Sequence, residues 1–229
     1  MSSRCDFVLV VLAAGCAAAG CATAGAGGEG ENPGDTDASV KPPKDASQPI
    51  DGPEPVMPDA PCTTMTTQLL ANPAFDLTPM GMAWTEEPFD PTIAIITSAG
   101  PMAPSTPYKA WLGGYETTAT DVMYQDVVLP NGTTMLTLSG SYAIGSLDST
   151  TVAKDTTLVE LLDGGAQFAT IMTFDNTMAT TGWMTTMQSI PVSGRSGHTI
   201  RLRFTARCDA SANTNFFFDS LSLTASHCQ

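Results

Sequence analysis

Short runs of alternating hydrophobic and polar residues fill the chain after residue 62, and turn-forming residues separate them roughly every ten positions. No sustained helical spacing of apolar residues interrupts these runs, and threonine is abundant throughout. A period of two is typical of half-buried strands, so the pattern predicts an all-β fold, a two-sheet antiparallel β-sandwich. The predicted strands cover about 65–70, 93–98, 108–112, 121–129, 133–145, 156–162, 167–174, 183–192, 199–208 and 215–225.

The alternation is clearest in the strand predicted over 199–208. Its even-numbered positions are mostly apolar, while its odd-numbered positions include Arg201, Arg203 and Arg207. This pattern predicts a strand with one buried face and one basic outer face. Two interpretations of the arginine row stay open: it binds anionic groups, or it pairs with neighbouring acidic side chains.

The first 21 residues have the features of a bacterial export signal. Arg4 precedes an apolar stretch over 7–19 that is too short to span a bilayer as a mature helix. The sequence Ala-Ala-Gly-Cys then occurs twice, ending at Cys16 and at Cys21, and resembles the box in which a cysteine is lipidated after cleavage. We expect lipidation at Cys21, with Cys16 as the alternative site. An ordinary secretory signal is the other interpretation.

Residues 22–61 are rich in Pro, Gly, Asp and Ser and poor in apolar side chains. Such a composition predicts a disordered, solvated linker, because little burial is available to offset the entropy of ordering. The domain organisation is therefore a signal segment over 1–21, a linker over 22–61 and a folded domain over 62–229. We expect the protein to be exported, and either lipid-anchored at the cell envelope or secreted.

The charge of the chain argues against nucleic acid as a partner. The formal net charge is −14, from 9 basic and 23 acidic residues. Residues 62–229 carry 14 acids and 6 bases, a net charge of −8. A field of this sign repels a phosphate backbone.

Three cysteines lie in the predicted folded domain, Cys62, Cys208 and Cys228, and an exported chain meets an oxidising compartment. If the first strand runs antiparallel to the last, Cys62 and Cys228 meet at the ends of those strands. We therefore predict a disulfide between these two residues. Cys208 ends the opposite arm of the last hairpin, so we expect a free thiol there.

Several segments, taken in order, resemble the galactose-binding-like jelly-roll domains that serve as carbohydrate-binding modules. Each motif is weak alone, but together they span nearly all of 66–224 in the family's order. The matching segments are Leu-Ala-Asn-Pro-Ala-Phe-Asp at 70–76, Pro-Tyr-Lys-Ala-Trp-Leu-Gly-Gly at 107–114, Tyr-Gln-Asp-Val-Val-Leu-Pro at 124–130, Met-Leu-Thr-Leu-Ser-Gly-Ser-Tyr at 135–142, Gly-Trp at 182–183, Ile-Arg-Leu-Arg-Phe at 200–204 and Phe-Phe-Phe-Asp-Ser-Leu-Ser-Leu at 216–223.

The resemblance implies a structural calcium ion near the opening motif. Carried over by position, its candidate ligands are Asp76, Asp219 and the backbone carbonyl groups around Asn72 and Phe75. The chain departs from the family pattern at Ala74 and Ser220, each of which removes a possible carboxylate. The alternative role for the two aspartates is to accept hydrogen bonds from backbone N–H groups.

Sugar binding in such folds uses aromatic faces together with a few polar groups. The candidates are Trp111, Trp84, Tyr108 and Tyr115, and strict alternation leaves Lys109 and Trp111 on the outer side of their strand. Trp111 is therefore the first candidate for a ligand platform. A tryptophan packed beneath a neighbouring loop is the competing interpretation.

The sequence shows no catalytic motif. The two histidines, His198 and His227, belong neither to a Gly-x-Ser-x-Gly elbow nor to a His-Glu-x-x-His motif. We therefore expect no enzyme, but a surface lipoprotein with a carbohydrate-binding-like module that recognises a polysaccharide or other glycan. In the alternative, the domain is a structural or protein-interaction domain without sugar binding.

Overall fold

A computed structural model of the chain describes residues 62–228, which belong to one compact unit. The predicted export segment over 1–21, with both candidate lipidation sites, and the predicted linker over 22–61 lie outside the described residues. No helix among the described residues is long and apolar enough to cross a membrane.

The predicted two-sheet antiparallel sandwich is confirmed. The strands of the first sheet are β1 (Thr64–Gln68), β3 (Ile96–Thr97), β4 (Lys109–Gly113), β6 (Thr133–Ser146), β9 (Met184–Pro191) and β11 (Thr214–Cys228). Their order is β3-β4-β11-β6-β9, and β1 also pairs with β11. The strands of the second sheet are β2 (Thr85–Glu87), β5 (Ala119–Val128), β7 (Thr156–Asp163), β8 (Ala166–Asp175) and β10 (Thr199–Cys208). Their order is β2-β5-β10-β7-β8. One turn of 3-10 helix, Asn176–Met178, follows β8.

The core lies between the sheets, because most apolar positions of the alternating strands face inward. In β10, Ile200, Leu202 and Phe204 are fully buried or nearly so. The Phe204 ring stands 4.9 Å from the ring of Phe218 in β11, and this contact joins the second sheet to the first. The inward aromatic rings of the two sheets thus pack on one another.

The first and last strands pair antiparallel, with Thr64 opposite Cys228. The predicted disulfide between Cys62 and Cys228 is confirmed, and it closes a separation of 166 residues. Cys208 is a free thiol, also as predicted, and the structure shows that it is buried. Burial raises the pKa of its thiol to about 11, so the reactive thiolate is scarce at neutral pH.

Two elements differ from the sequence prediction. The strand expected over 93–98 is reduced to Ile96–Thr97, and β2 was not predicted. Both differences arise near Glu86 of β2. One carboxylate oxygen of Glu86 accepts hydrogen bonds from the backbone nitrogens of Ile95 (2.6 Å) and Ile96 (3.0 Å). The Glu86 carboxylate therefore accepts the hydrogen bonds of two backbone N–H groups that would otherwise be donated to a neighbouring strand.

Candidate ligand-binding face

The expected aromatic platform at Trp111 is not on the surface. The alternation in β4 is as predicted, since Ala110 and Leu112 face the core and Lys109 and Trp111 face the other way. That outer side is nevertheless covered, and Trp111 is only 3% exposed and Lys109 only 1%. The expectation of an exposed Trp111 is therefore wrong.

The cover over Trp111 is the segment that precedes β4. A Cβ atom at Gly100 would lie 3.2 Å from the Trp111 ring, so this glycine lets the chain pass directly over the indole. The ring also packs on Phe217, with centroids 5.3 Å apart. Its N–H donates to the side-chain oxygen of Asn215 at 2.9 Å. Trp111 thus has the contacts of a packed side chain.

The other three aromatic candidates are also occupied by packing. Trp84 is 8% exposed, packs on the Phe75 ring at 5.2 Å between centroids and donates its indole N–H to the Asn72 carbonyl at 3.0 Å. Tyr115 is buried and contacts Phe89 edge to face. Tyr108 is half-buried and packs against the main core. None of the four forms an exposed platform.

The outer face of the second sheet carries a flat polar group at Arg201. Arg201 and Asp126 stand directly opposite each other in β10 and β5. The guanidinium donates two hydrogen bonds to the Asp126 carboxylate, at 2.7 and 2.9 Å. It also lies 3.6 Å from the centre of the Tyr124 ring. Hydrogen bonding to Arg201 lowers the pKa of Asp126, so the pair is ionised at neutral pH.

The next arginine on the same face is paired as well. Arg203 contacts the carboxylate of Glu160 in β7, with its Nη2 atom 2.8 Å from the oxygen. Arg207 is exposed and makes no hydrogen bond or ion pair with any residue between 62 and 228. Of the two interpretations of the arginine row, pairing with acidic side chains therefore holds for Arg201 and Arg203.

A cavity of about 310 Å³ opens beside the Arg201–Asp126 pair. It lies between the hairpin that joins β7 to β8 and the start of β10. Gly164 and Gly165 form its rim, and both have positive φ angles with open space where a side chain would stand. The lining residues are Asp126, Leu162, Gly164, Gly165, Thr199 and Arg201.

A histidine–aspartate pair lies next to this cavity. His198 Nδ1 is 2.8 Å from Asp163 Oδ2. In the same turn, Arg195 stacks on Phe168, with its guanidinium carbon 3.9 Å from the ring centre. Within residues 62–228, no hydroxyl or thiol hydrogen bonds to the other ring nitrogen of His198. The described residues therefore show no nucleophile positioned for this histidine to activate.

The structure brings the candidate metal ligands Asp76 and Asp219 together at Ser105. Asp219 is fully buried at a bulge in β11, where its two oxygens accept from the backbone nitrogens of Ser105 (2.7 Å) and Ser220 (2.6 Å). The Ser105 hydroxyl donates to Asp76, whose other oxygen accepts from the Tyr108 nitrogen at 3.1 Å. Burial raises the pKa of Asp219, and the Asp76 carboxylate adds to the rise.

Asn72 closes the opening loop on itself. Its side-chain oxygen accepts from the Leu77 nitrogen at 3.0 Å, and its amide donates to the Met82 carbonyl at 2.9 Å. Its carbonyl, the group expected near the ion, accepts from the Trp84 indole N–H at 3.0 Å and from the Phe75 nitrogen at 3.1 Å. Its own φ angle is +54°, a conformation that asparagine tolerates better than most residues.

The donor set at Asp76 and Asp219 suits a hard cation in its chemistry. It offers two carboxylates and the hydroxyl of Ser105, all oxygen ligands of the kind calcium binds. The nearby Lys109 contributes one positive charge against two negative ones. Among the described residues no three Asp, Glu, His or Cys groups come together as a metal site. A cation here would take its further ligands from hydroxyl and carbonyl oxygens.

Sequence reasoning missed Tyr124, Asp126 and the two glycines of the cavity. The sequence contains a signal for Tyr124 and Asp126. If the strand predicted over 121–129 pairs with the strand predicted over 199–208, this aromatic residue and this acid lie against the arginines. The register that sets Asp126 opposite Arg201 is not readable from either strand alone. The cavity itself depends on how the Gly164–Gly165 turn lies against β10.

No protein-family model and no curated protein sequence matches the chain. Among solved structures, it is similar to a family 61 carbohydrate-binding module in complex with β-1,4-galactotriose. That pair is 16% identical, covers 69% of this chain and 97% of that chain, and has a TM-score of 0.47. A family 4 carbohydrate-binding module is 14% identical over 69% of this chain and 99% of that one, with a TM-score of 0.42. A Stig cyclase from Fischerella sp. TAU is 15% identical over 72% and 100%, with a TM-score of 0.49. These are likenesses of fold.

Proposed function

We propose that this chain is a non-catalytic module that binds a glycan on the outer face of the second sheet, beside Arg201. The observation that carries the proposal is the cavity of about 310 Å³ next to the Arg201–Asp126 pair. The site expected at Trp111 is not retained, because that side chain is buried.

The groups around the cavity match the chemistry of a sugar. A guanidinium presents donors in a fixed plane, and a carboxylate beside it presents acceptors. Neighbouring hydroxyls of a pyranose both donate and accept hydrogen bonds. One can therefore accept from the guanidinium while the next donates to the carboxylate. The missing side chains of Gly164 and Gly165 leave backbone groups accessible at the cavity.

The charges at the cavity favour a neutral sugar. Arg201 is offset by Asp126, with which it shares two hydrogen bonds. The folded domain as a whole carries a net charge of −8, from 14 acids and 6 bases. An anionic ligand would gain little from a neutralised arginine and would be repelled by the remaining field.

Replacing Arg201 with alanine is expected to weaken glycan binding roughly ten- to a hundredfold, because hydrogen bonds to a charged group contribute about 1.5–3 kcal/mol. Affinity electrophoresis and calorimetry with soluble β-1,4-galactan, xylan and β-glucan measure the effect. The matched control is Arg207→Ala, on the same face of the same strand, where no partner is lost. Equal binding by the Arg201→Ala variant, or no binding by the native chain to any of the three, contradicts the proposal.

The alternative, a structural or protein-interaction domain without sugar binding, is favoured by one observation. Trp84 and Trp111 are both buried, so neither forms an exposed platform for a sugar ring. Absence of glycan binding in the experiment above would support this alternative.

We also propose a structural calcium ion between Asp76 and Asp219. Asp76 and Asp219 both accept hydrogen bonds from Ser105, and with the nearby Lys109 they leave one negative charge that a further cation would compensate. The ion would join the opening loop to the bulge in β11, which are already linked by the hydrogen bond from the Leu221 nitrogen to the Pro73 carbonyl at 2.8 Å.

Chelation of calcium is expected to lower the melting temperature by roughly 5–10 °C, the effect of losing a ligand present at about 100 times its dissociation constant. The Asp76→Asn variant should melt at the same temperature with or without chelator, because it lacks one of the two charges. Asp126→Asn serves as the control and should respond to chelator as the native chain does. An unchanged melting temperature of the native chain on chelation would show that no structural ion is bound.

We propose, finally, that the domain is displayed at the cell envelope by a lipid on Cys21, with Cys16 as the alternative, and held away from the membrane by the linker over 22–61. The basis is the sequence of those segments. Detergent-phase partitioning of the native chain against a Cys21→Ser variant tests the anchor, and equal partitioning of the two would exclude Cys21.

A further inference from the structure

One edge of the first sheet is formed by β9, which pairs only with β6 among the described strands. The hydrogen bond from the Val192 nitrogen to the Thr134 carbonyl, at 3.0 Å, fixes which residues of β9 bond to β6. Bonded positions alternate along an antiparallel ladder, so the even-numbered residues of β9 bond to β6. The N–H and C=O groups of Thr185, Met187 and Ser189 therefore point away from the sheet, where no other described strand pairs with them.

The edge at β9 lacks the features that usually protect an edge strand from pairing with another chain. β2 and β3 are edge strands of three and two residues. β8, at the edge of the second sheet, is ten residues long, but its register against β7 shifts at two places. β9 keeps one register against β6 over all eight of its residues, and its proline, Pro191, stands at its end. It is therefore the longest regular edge in the described part of the chain.

Charge is almost absent from this side of the domain. Residues 62–229 carry 20 charged side chains, from 14 acids and 6 bases, but residues 166–194 carry one, Asp175 at the end of β8. That segment contains both β8 and β9, and the Thr186 hydroxyl joins them by donating to the Met172 sulfur at 3.3 Å. A domain with a net charge of −8 is repelled by its own copies where acidic surfaces meet. Two copies can approach at this edge with little of that repulsion.

We infer that β9 pairs antiparallel with β9 of a second copy of this chain, about a two-fold axis at Met187. An edge strand accepts a further strand through its unpaired backbone groups. When Met187 stands opposite Met187 of the second copy, Thr185 of each copy stands opposite Ser189 of the other. Every outward N–H of these three residues then donates to an outward carbonyl across the axis. No other centre pairs all three residues in both copies.

The side chains at this axis suit contact between two copies. Ile190 is buried in the core, so the odd-numbered residues of β9 point to the outer face of the sheet. Met187 is 72% exposed there. Directly opposite side chains of an antiparallel pair are neighbours, so the two Met187 side chains would pack together and each Thr185 hydroxyl would face a Ser189 hydroxyl. Burial of an exposed methionine thus accompanies the backbone hydrogen bonds.

The inferred contact is small, because one strand from each copy forms it. A standard stable interface buries roughly 1,200–2,000 Å², so we expect a reversible dimer with a dissociation constant on the order of 10–100 μM. This inference goes beyond the proposed glycan site at Arg201, which lies on the other sheet, and neither depends on the other.

Sedimentation equilibrium tests the pairing. The reference chain is the full chain with Cys5→Ser, Cys16→Ser and Cys21→Ser, which can be neither lipidated nor linked through these cysteines. Its average mass should rise from that of one chain toward that of two between about 5 and 500 μM, the range that brackets the expected dissociation constant.

Charge at the axis gives the sharpest variants. Met187→Lys should weaken the dimer at least tenfold, because two lysines then stand directly opposite each other, and Met187→Glu should do the same. An equimolar mixture of these two variants should restore association, since each lysine then faces a glutamate. The matched control is Val128→Lys, which replaces a side chain that is 62% exposed in β5 of the second sheet and should leave association unchanged.

A backbone variant tests the hydrogen bonds independently of the methionine. Ser189→Pro removes an N–H that points away from β6, at a position where an edge strand tolerates proline. The variant should fold, as its melting temperature shows, and should associate at least tenfold more weakly, because two hydrogen bonds across the axis are lost. Thr185→Pro, at the other end of the pair, replaces it if Ser189→Pro does not fold.

Two sets of results would overturn the inference. One is a reference chain that keeps the mass of a single chain at the highest concentration, which would leave the edge to a strand of another protein. The other is a Met187→Lys variant that associates as well as the reference chain, or a mixture of the lysine and glutamate variants that stays monomeric.

Discussion

A chain with serine in place of both Cys62 and Cys228 is expected to melt roughly 10–20 °C below the native chain. The bond closes a separation of 166 residues. In the loop-entropy model, losing such a link stabilises the unfolded chain by about 5 kcal/mol. Each kcal/mol is equivalent to about 2–4 °C in a domain of this size.

The position of the disulfide explains why other contacts would compensate little for its loss. All five residues of β1 are exposed, and the strand is held by its pairing with β11. Without the disulfide, β1 keeps its backbone hydrogen bonds but adds no buried side chain to the core. We therefore expect β1 to separate from β11 first as the temperature rises.

Calorimetry of the double variant, with and without reductant, measures this effect. The Cys208→Ala variant is the control, because it removes the buried free thiol and leaves the disulfide intact. It should lose stability in reductant as the native chain does, whereas the double variant should not respond. If the double variant melts within about 3 °C of the native chain, the disulfide does not stabilise the domain by restricting the unfolded chain as expected.

The second large effect is expected at Phe204, where alanine should cost about 3–5 kcal/mol of unfolding free energy. The side chain is completely buried in β10, a central strand of the second sheet. Its ring contacts Phe218 of the first sheet at 4.9 Å and Trp84 at 6.3 Å. Truncation therefore opens a cavity between the sheets that neighbouring rings fill only in part.

Urea unfolding followed by tryptophan fluorescence measures this loss, since Trp84 reports on the same contact. The control is Phe89→Ala, which truncates a phenylalanine that is 45% exposed and should cost less than about 1.5 kcal/mol. If the two variants lose similar amounts, Phe204 is not the inter-sheet contact that its burial indicates.

Much of the fold was predictable because it depends on local alternation. The strands at 121–129, 133–145, 156–162, 167–174, 183–192 and 199–208 are found within a few residues of their predicted bounds. β2 could not be predicted, since Thr85–Glu87 has no apolar alternation and becomes a strand by pairing with β5. The disulfide was predictable because its cysteines bracket the first and last strands.

The candidate site was less predictable, and Trp111 shows the reason. Alternation placed its side chain correctly on the outer side of β4, but the cover over that side is a loop that contains Gly100. Likewise, alternation placed Arg201 on an outer face, while its pairing with Asp126 depends on the register between two strands far apart in sequence.

The sequence by itself determined which side chains of each strand share a face, because that choice follows from the two-residue repeat of an extended backbone. Only the tertiary structure decided what each face meets. It covered the outer side of β4 at Trp111 and left the outer face of the second sheet open at Arg201. Such contacts join residues distant along the chain, and their free energy depends on loop paths and strand register that no local pattern encodes.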